Sequence, residues 1–174
     1  MLRSALIAAS LLMGVALLLF GIWDAKGRSS LLSGLTDPLY GLDHFLALLA
    51  VGIWAGRLRG ANTWKLPAVF LGGTVPGFLL MVGQPPIPLT DALVHIVIVG
   101  SILSFVAAFL IPIRIPTSEA VTTVAMIGGC HGYVHASEVG ATAAAGWFGV
   151  GALLTASGLT AAGVAVGLAT PRVT

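Results

Sequence analysis

The sequence predicts an all-α protein, a polytopic membrane bundle of about six transmembrane helices, or five if the first is removed as a signal peptide. Residues 1–174 read as a single transmembrane domain. Three observations lead there. Of the 174 residues, 57% are hydrophobic and 8% charged, with a mean hydropathy of +1.05, whereas a soluble domain carries about 25% charged residues to cover its surface. Apolar runs close to the roughly 20 residues that a helix needs to cross a hydrocarbon core recur along the chain. The short alternating segments of a membrane barrel are absent from the sequence.

The elements follow in order. Arg3 precedes an apolar run over 5–23, and "AKG" at Ala25 to Gly27 offers a small-x-small site, so residues 1–25 read as a first transmembrane helix or as a cleaved signal peptide. Further spans are expected over 42–58, 66–82, 92–113, 120–139 and 143–169. Their separators hold ordinary helix breakers: "GRLRGANTWK", the proline-rich "GQPPIPLTD", and "PIRIP", with Pro112 and Pro116 around Arg114. Pro76 falls inside the third span, where a kink is expected. The spacings Gly52/Gly56/Gly60, Gly73/Gly77, Gly128/Gly132 and Gly163/Gly167 allow helices to approach closely.

Charge sets the orientation. With six spans, Arg3, Arg57, Arg59, Lys65, Arg114 and Arg172 share one side, and only Lys26 and Arg28 lie on the other. Cytoplasmic loops are enriched in basic residues, so the chain is expected to be multi-pass with its C-terminus cytoplasmic. The same scatter makes the net charge of +2 a topology signal and predicts no nucleic-acid partner. With one cysteine, Cys130, the chain can form no internal disulfide. A phosphate-binding loop of the G-x-x-x-x-G-K-[ST] kind is absent from the sequence, so ATP is not used by the chain itself.

Against this apolar background the ionisable residues segregate. On the predicted topology all four histidines, His44, His95, His131 and His135, fall in the outer half of the membrane, and Glu119 alone among six acidic residues is cytoplasmic. In "CHGYVHASE", His131, His135 and Glu138 recur at i, i+4, i+7 and share one helix face. Asp91 and His95 repeat the i, i+4 spacing on another span, and Asp43 and His44 sit at the entrance of a third. Ionisable groups in the bilayer cost several kcal/mol unless they face a partner or water, so they mark sites and pathways. Imidazole with carboxylate is a ligand set for nickel, cobalt, zinc or iron. Structural readings compete: a histidine can bond across helices, and Asp43 can cap its helix.

At these residues the chain resembles the HupE/UreJ family of hydrogenase and urease accessory proteins, regarded as nickel permeases. The family's His-Pro-x-x-Gly-x-Asp-His-x-x-Ala-Met motif is met in "DPLYGLDHFLAL" by Pro38, Gly41, Asp43, His44 and Ala47. Its Phe-His-Gly-x-x-His-Gly-x-Glu motif is met by His131, Gly132, His135 and Glu138, and the likeness covers about 34–169. The departures are Asp37 for His, Leu48 for Met, Cys130 for Phe and Ala136 for Gly. The resemblance implies a permease of the bacterial inner membrane, with Asp43, His44, His131, His135 and Glu138 as metal-pathway residues. Asp37 joins them as an oxygen-bearing substitute that hardens the ligand set, and Asp91 and His95 serve as second-shell or pathway residues.

The expected function is therefore import of a divalent transition-metal ion, nickel or cobalt, by a protein that is not an enzyme and has no permanently bound cofactor. Its partners are the ion and the lipid bilayer, with assembly into a homo-oligomer left open. Three rivals stand beside it. An intramembrane metalloprotease would need a general-base Glu where Gly132 stands in the H-E-x-x-H pattern. A haem-binding electron-transfer subunit would use the histidines as axial ligands, and a structural or assembly membrane protein would transport nothing.

Overall fold

A computed structural model describes residues 25–84, 88–110, 116–139 and 143–170; the expected first span, 5–23, lies outside them. Six helices make up the described chain: α1 (Ala25–Tyr40), α2 (Leu42–Leu58), α3 (Asn62–Met81), α4 (Pro88–Leu110), α5 (Thr117–Ser137) and α6 (Ala145–Ala169). The described residues contain no strand. The bundle expected from composition is thus the fold observed, and α2 to α6 coincide closely with five of the expected spans.

Two helices, α3 and α6, are individually long and apolar enough to cross a membrane, and the bent pair α1–α2 makes a third crossing if it counts as one broken span. This tally is narrower than the six spans expected. Part of the shortfall lies outside the described residues. The rest comes from α5, whose Thr, Gly, Ser and His residues dilute its hydropathy, and from α4, whose described side chains supply an apolar helix only over Ala92–Ala107.

The addition to the expected fold is α1. Its sequence, AKGRSSLLSGLTDPLY, is poor in large apolar residues and read as a connection, yet it is helical and docks along α6. Small residues make the docking possible: a Cβ at Gly34 would strike the backbone of Phe148, and one at Gly151 the backbone of Leu31 and Leu35. Two hydrogen bonds fasten the pair, from the Ala144 amide to Ser30 Oγ (2.8 Å) and from Thr155 Oγ1 to the Leu35 carbonyl (2.7 Å). α1 ends just after Pro38, Gly41 is extended (φ −83°, ψ 105°), and α2 then departs at 79°.

α2 with α6, and α3 with α5, pair through glycine. Gly52 and Gly56 of α2 lie on Gly163 and Gly167 of α6, while Gly128 and Gly132 of α5 lie on the backbone of Phe70 and Thr74 of α3. Gly60 does not belong to that set; it has φ +65° and open space around it, and serves the α2–α3 turn beside Arg59. α3 runs as one helix through Pro67 and Pro76. Leu48, Val51, Trp54, Leu66, Phe70, Phe105, Val124, Ile127 and Val164 fill the core where α2, α3, α4, α5 and α6 meet. Leu79, Leu80, Leu103 and Met126 are each at least 66% exposed, as lipid-facing side chains of a membrane protein are.

Candidate metal centre

Three helices bring the site together. α5 places His131 and His135 one turn apart, and tight packing on α3 holds both inside the bundle, His131 at 0% exposure. From α2, His44 enters between them: its ring centroid lies 5.1 Å from that of His131 and 4.9 Å from that of His135. α1, crossing from the other side of the Gly41 bend, delivers Asp37 to His135 Nδ1 at 2.5 Å. Glu138, just past the end of α5, has Oε2 4.0 Å from the same nitrogen. Ligand atoms of Asp37, His135 and Glu138 all lie within 4.8 Å of one another.

The hydrogen bonds fix how the imidazoles are presented. His131 Nδ1 meets the Ile127 carbonyl at 3.0 Å, His44 Nδ1 meets Asp43 Oδ1 at 3.0 Å, and His135 Nδ1 meets Asp37. A carbonyl and a carboxylate only accept, so in each neutral ring Nδ1 carries the proton and Nε2 keeps the lone pair. Carboxylate or carbonyl behind an imidazole is the arrangement that orients histidine ligands toward a metal and raises their basicity. The Nε2 atoms of His44 and His131 are buried and have no hydrogen-bond partner in the protein. Such a group costs about 1–3 kcal/mol when left unsatisfied, and here two occur on touching rings.

Behind the rings lies a cavity of about 190 Å³, walled by His131 and His135 and otherwise mainly by apolar side chains such as Leu48, Phe70, Phe78 and Leu153. The Phe70 ring stands 5.1 Å from His131 and closes that flank. Phe70 was not legible as a site residue, because α3 carries no ligating side chain that would draw attention to it.

The structure therefore gathers Asp37, Asp43, His44, His131, His135 and Glu138 at one end of the bundle. Glu119 is exposed in the first turn of α5, at the opposite end of that helix from the histidines. His95 is exposed, because α4 turns Ile98, Ser101 and Phe105 to the bundle, and the side chain of Asp91 lies outside those described. Cys130 is half-buried beside the histidine stripe and is a free thiol.

Comparison with known proteins adds an independent line. Residues 10–174 match the family described as HupE / UreJ protein. Protein HupE of Rhizobium leguminosarum bv. viciae is 33% identical over 108 residues, which cover 62% of this chain and 54% of that protein. The chain spans about half the length of this curated relative. No solved structure matches. With two motifs on converging helices and a family match over nearly its whole length, the chain belongs to the HupE/UreJ family.

Proposed function

We propose that this protein imports a divalent transition-metal ion, nickel foremost and cobalt next, across the bacterial inner membrane through the His/carboxylate site, with its C-terminus in the cytoplasm. The observation that carries the reading is the pair of buried, unpartnered Nε2 atoms on His44 and His131, each backed by a hydrogen-bonded Nδ1. Lone pairs so placed suit a borderline cation, and nitrogen donors favour nickel, cobalt and zinc over magnesium or calcium.

The architecture supplies what a permease needs. A helix broken at Gly41 sets a helix C-terminus and a helix N-terminus against the site, as discontinuous helices do where transporters coordinate ions. Asp37, Asp43 and Glu138 make the mouth attractive to cations before any nitrogen binds. No resident cofactor enters this reading; the ion is cargo, and capture must stay weak enough for release. The haem reading fits poorly, since rings in contact at 4.9–5.1 Å leave no slot for a porphyrin between them.

The test is isotope uptake of Ni²⁺, with Co²⁺ and Zn²⁺ as competitors, in cells producing the parent, His44→Ala or His131→Gln at matched membrane abundance. Uptake falls by about tenfold or more in either variant if these imidazoles carry the ion. Variant uptake equal to the parent's, or parent uptake equal to that of cells lacking the protein, overturns the assignment and favours an assembly role.

A further inference from the structure

Burial sorts the ligating groups into two sets. The Glu138 side chain is 48% exposed, that of Asp37 14%, and those of His135 and His44 7% and 6%, while His131 is fully enclosed. Oxygen donors thus occupy the open end and nitrogen donors the closed end, with His135 touching both: Asp37 holds its Nδ1, and its ring packs on His44.

Resting on the permease reading above, we propose that the site is two successive cation stations rather than one: an outer station of Asp37 and Glu138 with His135, and an inner station at the buried, unpartnered Nε2 atoms of His44 and His131, which selects the ion. The outer station has the composition of a general divalent-cation trap. Carboxylate oxygens accept magnesium, calcium and manganese as readily as nickel, and at half exposure Glu138 meets ions that still carry water. The inner station is of the opposite character. It offers imidazole nitrogen only, and the cavity beside His131 and His135 is otherwise walled mainly by apolar side chains, which give a cation little to coordinate. An ion that cannot exchange hydration for nitrogen stops at the carboxylates.

Asp37 links the stations. Its Oδ2 is committed to the His135 Nδ1–H, so the carboxylate that receives the ion also holds the ring that packs against His44 of the inner station. Two stations a few ångströms apart also repel when both are filled, so each arriving ion favours departure of the one ahead, the multi-site arrangement by which pathways combine binding with throughput.

The division predicts different lesions at the two ends. In cells, Asp37→Asn combined with Glu138→Gln raises the Ni²⁺ concentration for half-maximal uptake about tenfold but leaves the preference for Ni²⁺ over Mn²⁺ unchanged, whereas His131→Gln reduces that preference by a comparable factor. In parallel, Co²⁺ is titrated into purified full-length protein in detergent and followed by its visible absorption. The nitrogen-rich spectrum persists in the carboxylate variant and is lost in His131→Gln, with both variants retaining parental helical content. Equal shifts in selectivity, or loss of the same spectrum in both variants, overturns the two-station arrangement while leaving a permease intact. Two separable Co²⁺ signatures in a protein that takes up no metal would sustain the stations and remove the transport reading instead.

Discussion

Gly132 offers the sharpest test of how the site is held. It separates the two motif histidines of α5 by sitting directly on α3: a Cβ built there would overlap the Thr74 carbonyl oxygen and stand 2.7 Å from the Thr74 carbonyl carbon and 2.8 Å from the Phe78 amide nitrogen. Every one of these atoms is backbone, so no side chain can swing aside. For Gly132→Ala the added Cβ and the Thr74 carbonyl oxygen must separate by about 1.5 Å to restore the 3.4 Å at which ordinary contact begins. Overpacking of this kind costs about 1–3 kcal/mol. The displacement also pulls His131 from Phe70 and shifts both motif imidazoles relative to His44. Gly129, one turn earlier, is the matched control, since its added Cβ would meet only the Gly73 carbonyl oxygen at an ordinary 3.8 Å. Thermal unfolding of purified protein, followed by circular dichroism, should place Gly132→Ala clearly below the parent and Gly129→Ala beside it, and Ni²⁺ uptake should fall only in the former. Equal stability and uptake for the two variants would refute the close α3–α5 contact and the argument built on it.

Other expected outcomes follow from the same geometry. In Gly41→Ala the new methyl would lie 3.0 Å from His44 Nδ1 and 3.1 Å from Asp43 Oδ1, forcing that pair to yield by a few tenths of an ångström; Co²⁺ affinity of the purified protein should drop about tenfold with little change in unfolding temperature. Arg59 donates to the carbonyls of Leu168 (2.6 Å) and Thr170 (3.2 Å) at the C-terminal end of α6. Arg59→Ala keeps the positive φ of this position occupied by an L-residue and removes only those bonds, so denaturation in detergent should report a loss of about 1 kcal/mol and uptake should be unaffected.

Most of the fold could be read from hydropathy, because α2, α3, α4 and α6 face lipid on much of their surface and must be apolar to do so. α5 was legible as an apolar run too, although its Thr, Gly, Ser and His residues dilute it. α1 escaped because nothing in AKGRSSLLSGLTDPLY signals burial; its helicity is sustained by α6, through Gly34, Gly151 and two hydrogen bonds that join residues more than 110 positions apart. The site divides likewise. The i, i+4, i+7 spacing of His131, His135 and Glu138 announces a shared face, since one helix defines it. The Asp37–His135 pair spans 98 positions and depends on where α1 docks, which no local pattern encodes. At Asp91 and His95 the spacing states only that two residues share a face, and periodicity does not say which way a face turns; His95 is exposed.

The bend at Gly41 also dictates how this gene can vary. Asp37 and His44 are seven positions apart, on two helices anchored to different stretches of α6, and each must arrive at its own partner. One inserted or deleted residue between them rotates one helix by about 100° relative to the other, carrying either the acid or the imidazole out of register while the rest of the bundle stays folded. Point changes there can be graded, but a frame-preserving indel cannot, so the length of this short segment is as much a part of the metal centre as any side chain in it.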